Sequence, residues 1–212
     1  MSETPKTQVL GVMLAGGENR RYDGVPKALE SVGGERIADR AIRAMREAFE
    51  RVVLVANDIP TFQTLGLETR TDLSPGLGAL GGIQTAVAWA EEEGRHGAVV
   101  VACDMPFLSP DLLRCLAQGS ASEEVVAPES ESRRGLEPLC AFYGTGCRSA
   151  IDAALARGDR HVISFFPEVP VRTIPLNQVA AFGDPRFLFL NVNTPDDRKR
   201  AEAALRRSGQ TP

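Results

Sequence analysis

The run Val9 to Leu14, closing on Ala15 and the glycine pair Gly16-Gly17, constrains the fold of this 212-residue sequence more than any other feature. A nearly unbroken apolar run of this length fits a strand buried on both faces, and such strands belong to parallel sheets covered by helices. Glycines directly after it put unencumbered backbone at the carboxyl edge of the sheet, where open α/β sheets hold ligands.

The rest of the chain continues the alternation. Arg36 to Phe49 carries Ile37, Ala41, Ile42, Met45 and Phe49 at helical spacing, which predicts the first crossover helix. Val52 to Ala56 and Gly97 to Cys103 are apolar enough for central strands, and Gly82 to Glu93 reads as a helix after a glycine-rich loop. Pro110 opens another helix, with Ser109 as its cap. A strand at Leu139 to Tyr143, a helix at Cys147 to Ala156 and a strand at Phe187 to Val192 follow. Thr194-Pro195-Asp196-Asp197 begins a last helix with a cap, a proline and acids in its first turn. The pattern predicts an α/β fold, a Rossmann-like open, mostly parallel sheet with helices on both faces. Residues 1–212 are expected to form one domain, and Ala127 to Pro138, rich in Ser, Glu and Arg, a flexible loop over a site.

Bulk composition narrows the function. At 43% hydrophobic and 25% charged residues the chain reads as globular rather than disordered. A net charge of −4 supplies no basic field for nucleic acid or an anionic membrane, so a polyanionic ligand needs local cations. No apolar run approaches the roughly 20 residues of a membrane span. Met1 to Gln8 lacks the pattern of a signal peptide. The cysteines, Cys103, Cys115, Cys140 and Cys147, show no C-x-x-C spacing, so reduced thiols and a cytoplasmic location are expected.

Two segments carry chemistry. In the first, Leu14-Ala15-Gly16-Gly17 is followed by Arg20, Arg21 and Lys27. Paired glycines admit phosphate oxygens to backbone N–H groups, and the cations offset the charge of a triphosphate and its leaving pyrophosphate. Ala28 after Lys27 excludes a Walker A loop, which needs a hydroxyl there. In the second, Ala102-Cys103-Asp104-Met105-Pro106, the proline holds Met105 extended and leaves Asp104 at the end of its strand. A lone carboxylate facing phosphates suits magnesium. Asp72, ahead of the Pro75–Gly82 loop, is a second candidate carboxylate. Gly76-Leu77-Gly78-Ala79-Leu80-Gly81 matches G-x-G-x-x-G formally, but no buried strand feeds it and no acid follows at the ribose position. These glycines are expected near a nucleotide, without a nicotinamide site. His96 and His161 read as surface or loop residues.

Over almost its whole length the chain resembles the molybdenum cofactor guanylyltransferases. The segments that carry the likeness are Leu14-Ala15-Gly16-Gly17…Arg20…Lys27, Leu80-Gly81-Gly82-Ile83 and Cys103-Asp104-Met105-Pro106-Phe107. Two distal blocks, Gly135-Leu136-Glu137-Pro138-Leu139 and Asn191-Val192-Asn193-Thr194-Pro195, narrow it to that family. The resemblance implies GTP and Mg²⁺ as reactant and cofactor, with molybdopterin or molybdenum-bound molybdopterin as acceptor. It further implies transient contact with proteins that deliver or receive the cofactor. Leu14, Ala15, Gly16, Gly17, Arg20, Lys27, Asp72 and Asp104 would bind nucleotide; Lys27, Arg20 and Asp104 would be catalytic, Asp104 also holding the metal. Arg133, Arg134 and Arg160 are candidates for the pterin phosphate. Tyr22-Asp23 replaces the family's usual Met-Gly, and Val55 stands where an Asn is frequent two positions before Asn57, which leaves Asn57 without an assigned role. The alternatives are a molybdopterin cytidylyltransferase, a sugar-phosphate nucleotidyltransferase, or a non-catalytic adaptor. Retention of both Lys27 and Asp104 argues against the adaptor.

Overall fold

In a computed structural model, which describes residues 8–15, 26–119 and 125–208, the first strand forms as the sequence predicts: β1 (Val9–Leu14) is buried throughout. After a 3₁₀ turn at Lys27–Leu29, a two-residue hairpin, β2 (Ser31–Val32) and β3 (Glu35–Arg36), leads into α1 (Ile37–Ala48). Next come β4 (Val52–Val55), α2 (Ile59–Phe62), β5 (Thr69–Arg70), α3 (Gly78–Glu92) and β6 (Gly97–Ala102). The second half holds α4 (Pro110–Leu116), β7 (Val125–Pro128), β8 (Cys140–Gly144), α5 (Arg148–Ala156) and β9 (Val171–Ile174). It ends in α6 (Leu176–Val179), α7 (Pro185–Leu188) and α8 (Pro195–Ser208).

Apart from the hairpin, the strands join one seven-stranded sheet in the order β5-β4-β1-β6-β8-β7-β9. Every neighbouring pair is parallel except the two that β8 makes, with β6 and with β7. The chain runs outward from β1 to β4 and β5, then crosses back to β6 on the other side of β1. That reversal makes the carboxyl ends of β1 and β6 the switch point, the place where open α/β sheets hold their ligands.

Helices cover both faces, as the alternation of side chains requires. Val99 and Val101 of β6 pack with Met13, Leu54 and Phe142 against Ala41 and Met45 of α1 and Leu112 and Leu116 of α4. Ala98 and Val100 face the opposite way, with Leu10, Val12 and Tyr143, onto Ile83, Val87 and Trp89 of α3 and Ile151 of α5. Burial of each large side chain contributes about 1.5–3 kcal/mol. Where β6 begins, a Cβ on Gly97 would stand 2.5 Å from the Phe142 ring and 2.6 Å from the Tyr143 carbonyl oxygen, so the close approach of β8 needs glycine.

Several expectations need correction. Phe187 to Val192 is no strand: the Asp184 side chain caps Arg186 N–H at 3.0 Å, Pro185 follows, and a short helix forms instead. The apolar run fills a third cluster, Leu190 and Val192 against Val32, Ile37, Ala201 and Leu205. Ala127 to Pro138 is ordered by its own hydrogen bonds. Ser130 N–H donates to Gly135 O at 3.0 Å, Ser132 Oγ to Leu136 O at 3.2 Å, and Glu137 N–H to Pro128 O at 3.0 Å. Tyr143 Oη fixes the end of this tongue by donating to Pro138 O at 2.7 Å. Helix α3 starts four residues before Gly82, at Gly78, which sits at φ 66°. The caps at Ser109 and Thr194 form as expected: Leu112 N–H donates to Ser109 Oγ at 3.4 Å, and Asp197 N–H to Thr194 Oγ1 at 3.1 Å.

Candidate functional site

The two flanking strands hold the end of β1. Ala15 N–H donates to Val55 O at 2.9 Å and Cys103 N–H to Leu14 O at 3.1 Å, so Leu14 and Ala15 open onto the crevice together with Cys103-Asp104. Gly16, Gly17, Arg20 and Arg21 lie outside the described residues. The chain re-enters at Pro26, and Lys27 opens the following 3₁₀ turn.

Lys27, Asp104 and Asn193 converge although they are far apart in sequence. Lys27 Nζ donates to Asn193 Oδ1 at 3.5 Å. The Asn193 side chain also hydrogen-bonds Asp104, whose backbone oxygen accepts from Val192 N–H at 3.0 Å. Asn193 stands directly before the Thr194 cap of α8, and its own N–H donates to Asp197 Oδ2 at 3.2 Å, so the cap fixes its position. The spacing Asn-Val-Asn before a capped helix was the available signal. Its partnership with Lys27 and Asp104 is not visible in sequence.

Among the described residues Asp104 is short of partners. Burial pushes its carboxyl above the usual range, only partly opposed by its own backbone N–H, by Asn193 and by the Lys27 charge. Its Oδ1 is buried with no hydrogen-bond partner among the described residues. A buried carboxylate oxygen left bare costs free energy unless something positive meets it, and a divalent cation with oxygen ligands has that chemistry. Across the crevice, Glu137 shares the environment. Burial first, and then the Asp104 charge, push its carboxyl up to about 7, against a bond from Leu139 N–H and the Arg134 charge. In the sequence Glu137 is one residue of the Gly135–Leu139 block, with no local signal that marks it for a role. Burial pushes the adjacent Cys103 thiol up to about 12, which removes it as a nucleophile.

A second group lies beyond β4 and β5. Asn57 Nδ2 donates to Asp72 Oδ2 at 2.7 Å, and Asp72 N–H donates back to Asn57 Oδ1 at 3.0 Å. Burial raises the Asp72 carboxyl and the Asn57 bond opposes the rise. A Cβ on Gly82 would come within 3.2 Å of the Leu14 side chain and 3.7 Å of Asp72 Oδ1, so glycine keeps this corner open. Arg160, a candidate for the pterin phosphate, donates from Nη1 to Gly76 O at 3.0 Å and thereby tethers the glycine loop before α3. Arg133 and Arg134 are exposed on the tongue. His161 is exposed and His96 packs tilted on Phe142, 5.9 Å between centroids. All four cysteines are free thiols, and among the described residues no helix is long and apolar enough to cross a membrane.

With this geometry in place, comparison with known proteins gives concordant matches. The family model of the MobA-like NTP transferase domain matches residues 11–171. A "probable molybdenum cofactor guanylyltransferase" of Pelotomaculum thermopropionicum is 36% identical over 201 residues, covering 95% of each chain. The molybdenum cofactor guanylyltransferase of Desulfosudis oleivorans is 32% identical over 199 residues, 93% of this chain and 96% of its own. Among solved structures, the molybdopterin-guanine dinucleotide biosynthesis protein A of Archaeoglobus fulgidus superposes with a TM-score of 0.76 at 26% identity. It covers 94% of this chain and 100% of its own.

Proposed function

The chain belongs to the MobA-like NTP transferase family, and from that premise we propose that it transfers GMP from GTP to the terminal phosphate of molybdopterin. An acceptor phosphate oxygen forms a bond to the α-phosphorus while the bond to the β-phosphate oxygen breaks, and pyrophosphate leaves. The observation that carries this reading is the meeting of Lys27, Asn193 and Asp104 at the switch point, with Asp104 Oδ1 unpartnered among the described residues.

No covalent intermediate is needed, so the chain's task is to position and to neutralise. Lys27 is the cation for the departing pyrophosphate, held by Asn193 at the crevice edge. Arg20 joins it from the glycine-rich segment, and Leu14, Ala15, Gly16 and Gly17 offer backbone groups to the nucleotide. Asp72 takes the base end. Asp104 would hold a divalent cation, Mg²⁺ in this reading, with Asn193 orienting the carboxylate. Such a cation supplies charge neutralisation across the phosphates. The acceptor is molybdopterin, alone or carrying molybdenum.

The relatives' names favour guanylyl over cytidylyl or sugar-phosphate transfer. The test is incubation with each radiolabelled triphosphate, molybdopterin and Mg²⁺, scoring pyrophosphate release. GTP should lead ATP, CTP and UTP; turnover with CTP equal to or above GTP refutes the guanylyl assignment.

A further inference from the structure

Parallel pairing sets Leu54 level with Thr69 and Val55 level with Arg70. Continuing the same register past the strand ends, Ala56 N–H donates to Arg70 O at 2.9 Å, and Asn57 comes level with Asp72. The two reciprocal bonds between Asn57 and Asp72 close a ring in which the amide is held at both ends. One carboxylate oxygen, Oδ2, is thereby occupied. No donor among the described residues meets the other, Oδ1, which lies beside Gly82 in the corner that also holds the Leu14 side chain.

The location selects the ligand part. Strands about 4.8 Å apart put the β5 edge three spacings, about 14 Å, from the β6 end that bears Asp104. That is the separation of a nucleobase from its own triphosphate, and a carboxylate repels phosphate but accepts from N–H donors. Next to Asp72, Leu73 is 53% exposed, apolar surface of the kind that a planar base covers. Guanine presents two adjacent donors on one edge, N1–H and the 2-amino group. Adenine presents a bare acceptor at N1 and would face the carboxylate oxygen with its own lone pair.

We propose that Asn57 is a positioning residue for guanine selectivity: it locks the Asp72 carboxylate so that Oδ1 is presented to the N1–H and 2-amino edge of the base. The inference rests on the reading of GTP as substrate. Without Asn57 the carboxylate can rotate, and Oδ2 loses its only side-chain donor among the described residues. The base lies far from the reacting phosphorus, so the loss falls on binding shared by ground state and transition state.

The experiment compares wild type and Asn57→Ala with GTP, ATP and inosine triphosphate, which lacks the 2-amino group. In the variant the GTP-over-inosine-triphosphate ratio of kcat/KM should shrink roughly tenfold, through KM rather than kcat, as the loss of an oriented bond to a charged group predicts. The unfolding midpoint is measured on the same preparation. A variant that loses stability yet keeps both nucleotide ratios overturns the inference, as does one whose loss lies in kcat alone. Asn57→Ser carries the same readouts should the alanine variant fail to accumulate. Wild type preferring another triphosphate over GTP would instead refute the substrate reading, and that outcome shows in the wild-type arm alone.

Discussion

Glu137→Gln should stabilise the protein at pH 8 and leave it nearly unchanged at pH 4.5. The carboxyl of Glu137 is raised from 4.5 to about 7 by burial and by the facing charge of Asp104. Below pH 4.5 the folded and unfolded chains both hold the proton, so folding costs nothing extra there. Between 4.5 and 7 the unfolded chain releases the proton while the folded chain keeps it, and stability falls as pH rises, by up to about 1.4 kcal/mol per pH unit. Above 7 the folded chain ionises as well and the penalty reaches its plateau. The gap of roughly two and a half pH units, at about 1.36 kcal/mol each, sets that plateau at about 3 kcal/mol. Glutamine keeps the shape and cannot ionise, so the variant should lack this slope. The assay is urea unfolding at half-unit steps from pH 4.5 to 8.5, in chelator to keep adventitious cations away. A difference between variant and wild type that stays flat with pH refutes the argument. So does a glutamine variant less stable than wild type at pH 8, because a comfortable ionised Glu137 would then be contributing stability.

Asp104→Asn should nearly abolish turnover with the fold intact, since an amide is a poor ligand for a hard dication; retention of near wild-type rates at ordinary Mg²⁺ removes Asp104 as the ligand. The same substitution should bring the Glu137 carboxyl down from about 7, because one of the two causes of its rise is gone. Repeated in that background, the Glu137→Gln comparison should reach its plateau at a lower pH and a smaller value, and an unchanged plateau would count against the facing of the two carboxylates. Lys27→Ala should cut turnover by roughly 10²-fold or more, with a much smaller effect on GTP affinity, because charge on pyrophosphate grows toward the transition state. Turnover and affinity measured on one preparation separate a catalytic lysine from a binding one.

The layers of the fold were legible because burial and caps are local signals. Val9–Leu14 and Gly97–Ala102 are too apolar to lie anywhere but the centre, and Ser109 and Thr194 mark helix starts through chemistry confined to four residues. The misreading of Phe187 to Val192 shows the limit. An apolar run reports that a segment is buried, and it does not choose strand over helix; the choice was made by Asp184 and Pro185, which lie before the run. Three sheet strands carry no clear signal in the sequence for a related reason. Thr69–Arg70 has two residues, Val125–Pro128 runs into the stretch rich in Ser, Glu and Arg that reads as a loop, and Val171–Ile174 exposes its middle residues at the sheet edge. Short strands are defined by the neighbours they find, which sequence periodicity does not contain.

The same distinction runs through the site. Lys27 and Asp104 could be singled out because each follows a signal in its own segment, a glycine-rich strand end or a strand stopped by proline. Asn57, Glu137 and Asn193 could not, because their chemistry comes from register and tertiary placement. The parallel register of β4 on β5 carries Asn57 to Asp72. The antiparallel register of β6 on β8 sets Val101 level with Cys140, and continued to Asp104 it arrives at Glu137. Ala102 N–H donating to Leu139 O at 2.9 Å shows the register persisting past the last paired residues. Reversing β8 is what makes the second meeting possible. A parallel strand would present its carboxyl end at this edge, whereas β8 presents its beginning, and with it the tongue that ends in Glu137. The one strand that departs from the parallel pattern is therefore the one that sets a second carboxylate opposite Asp104.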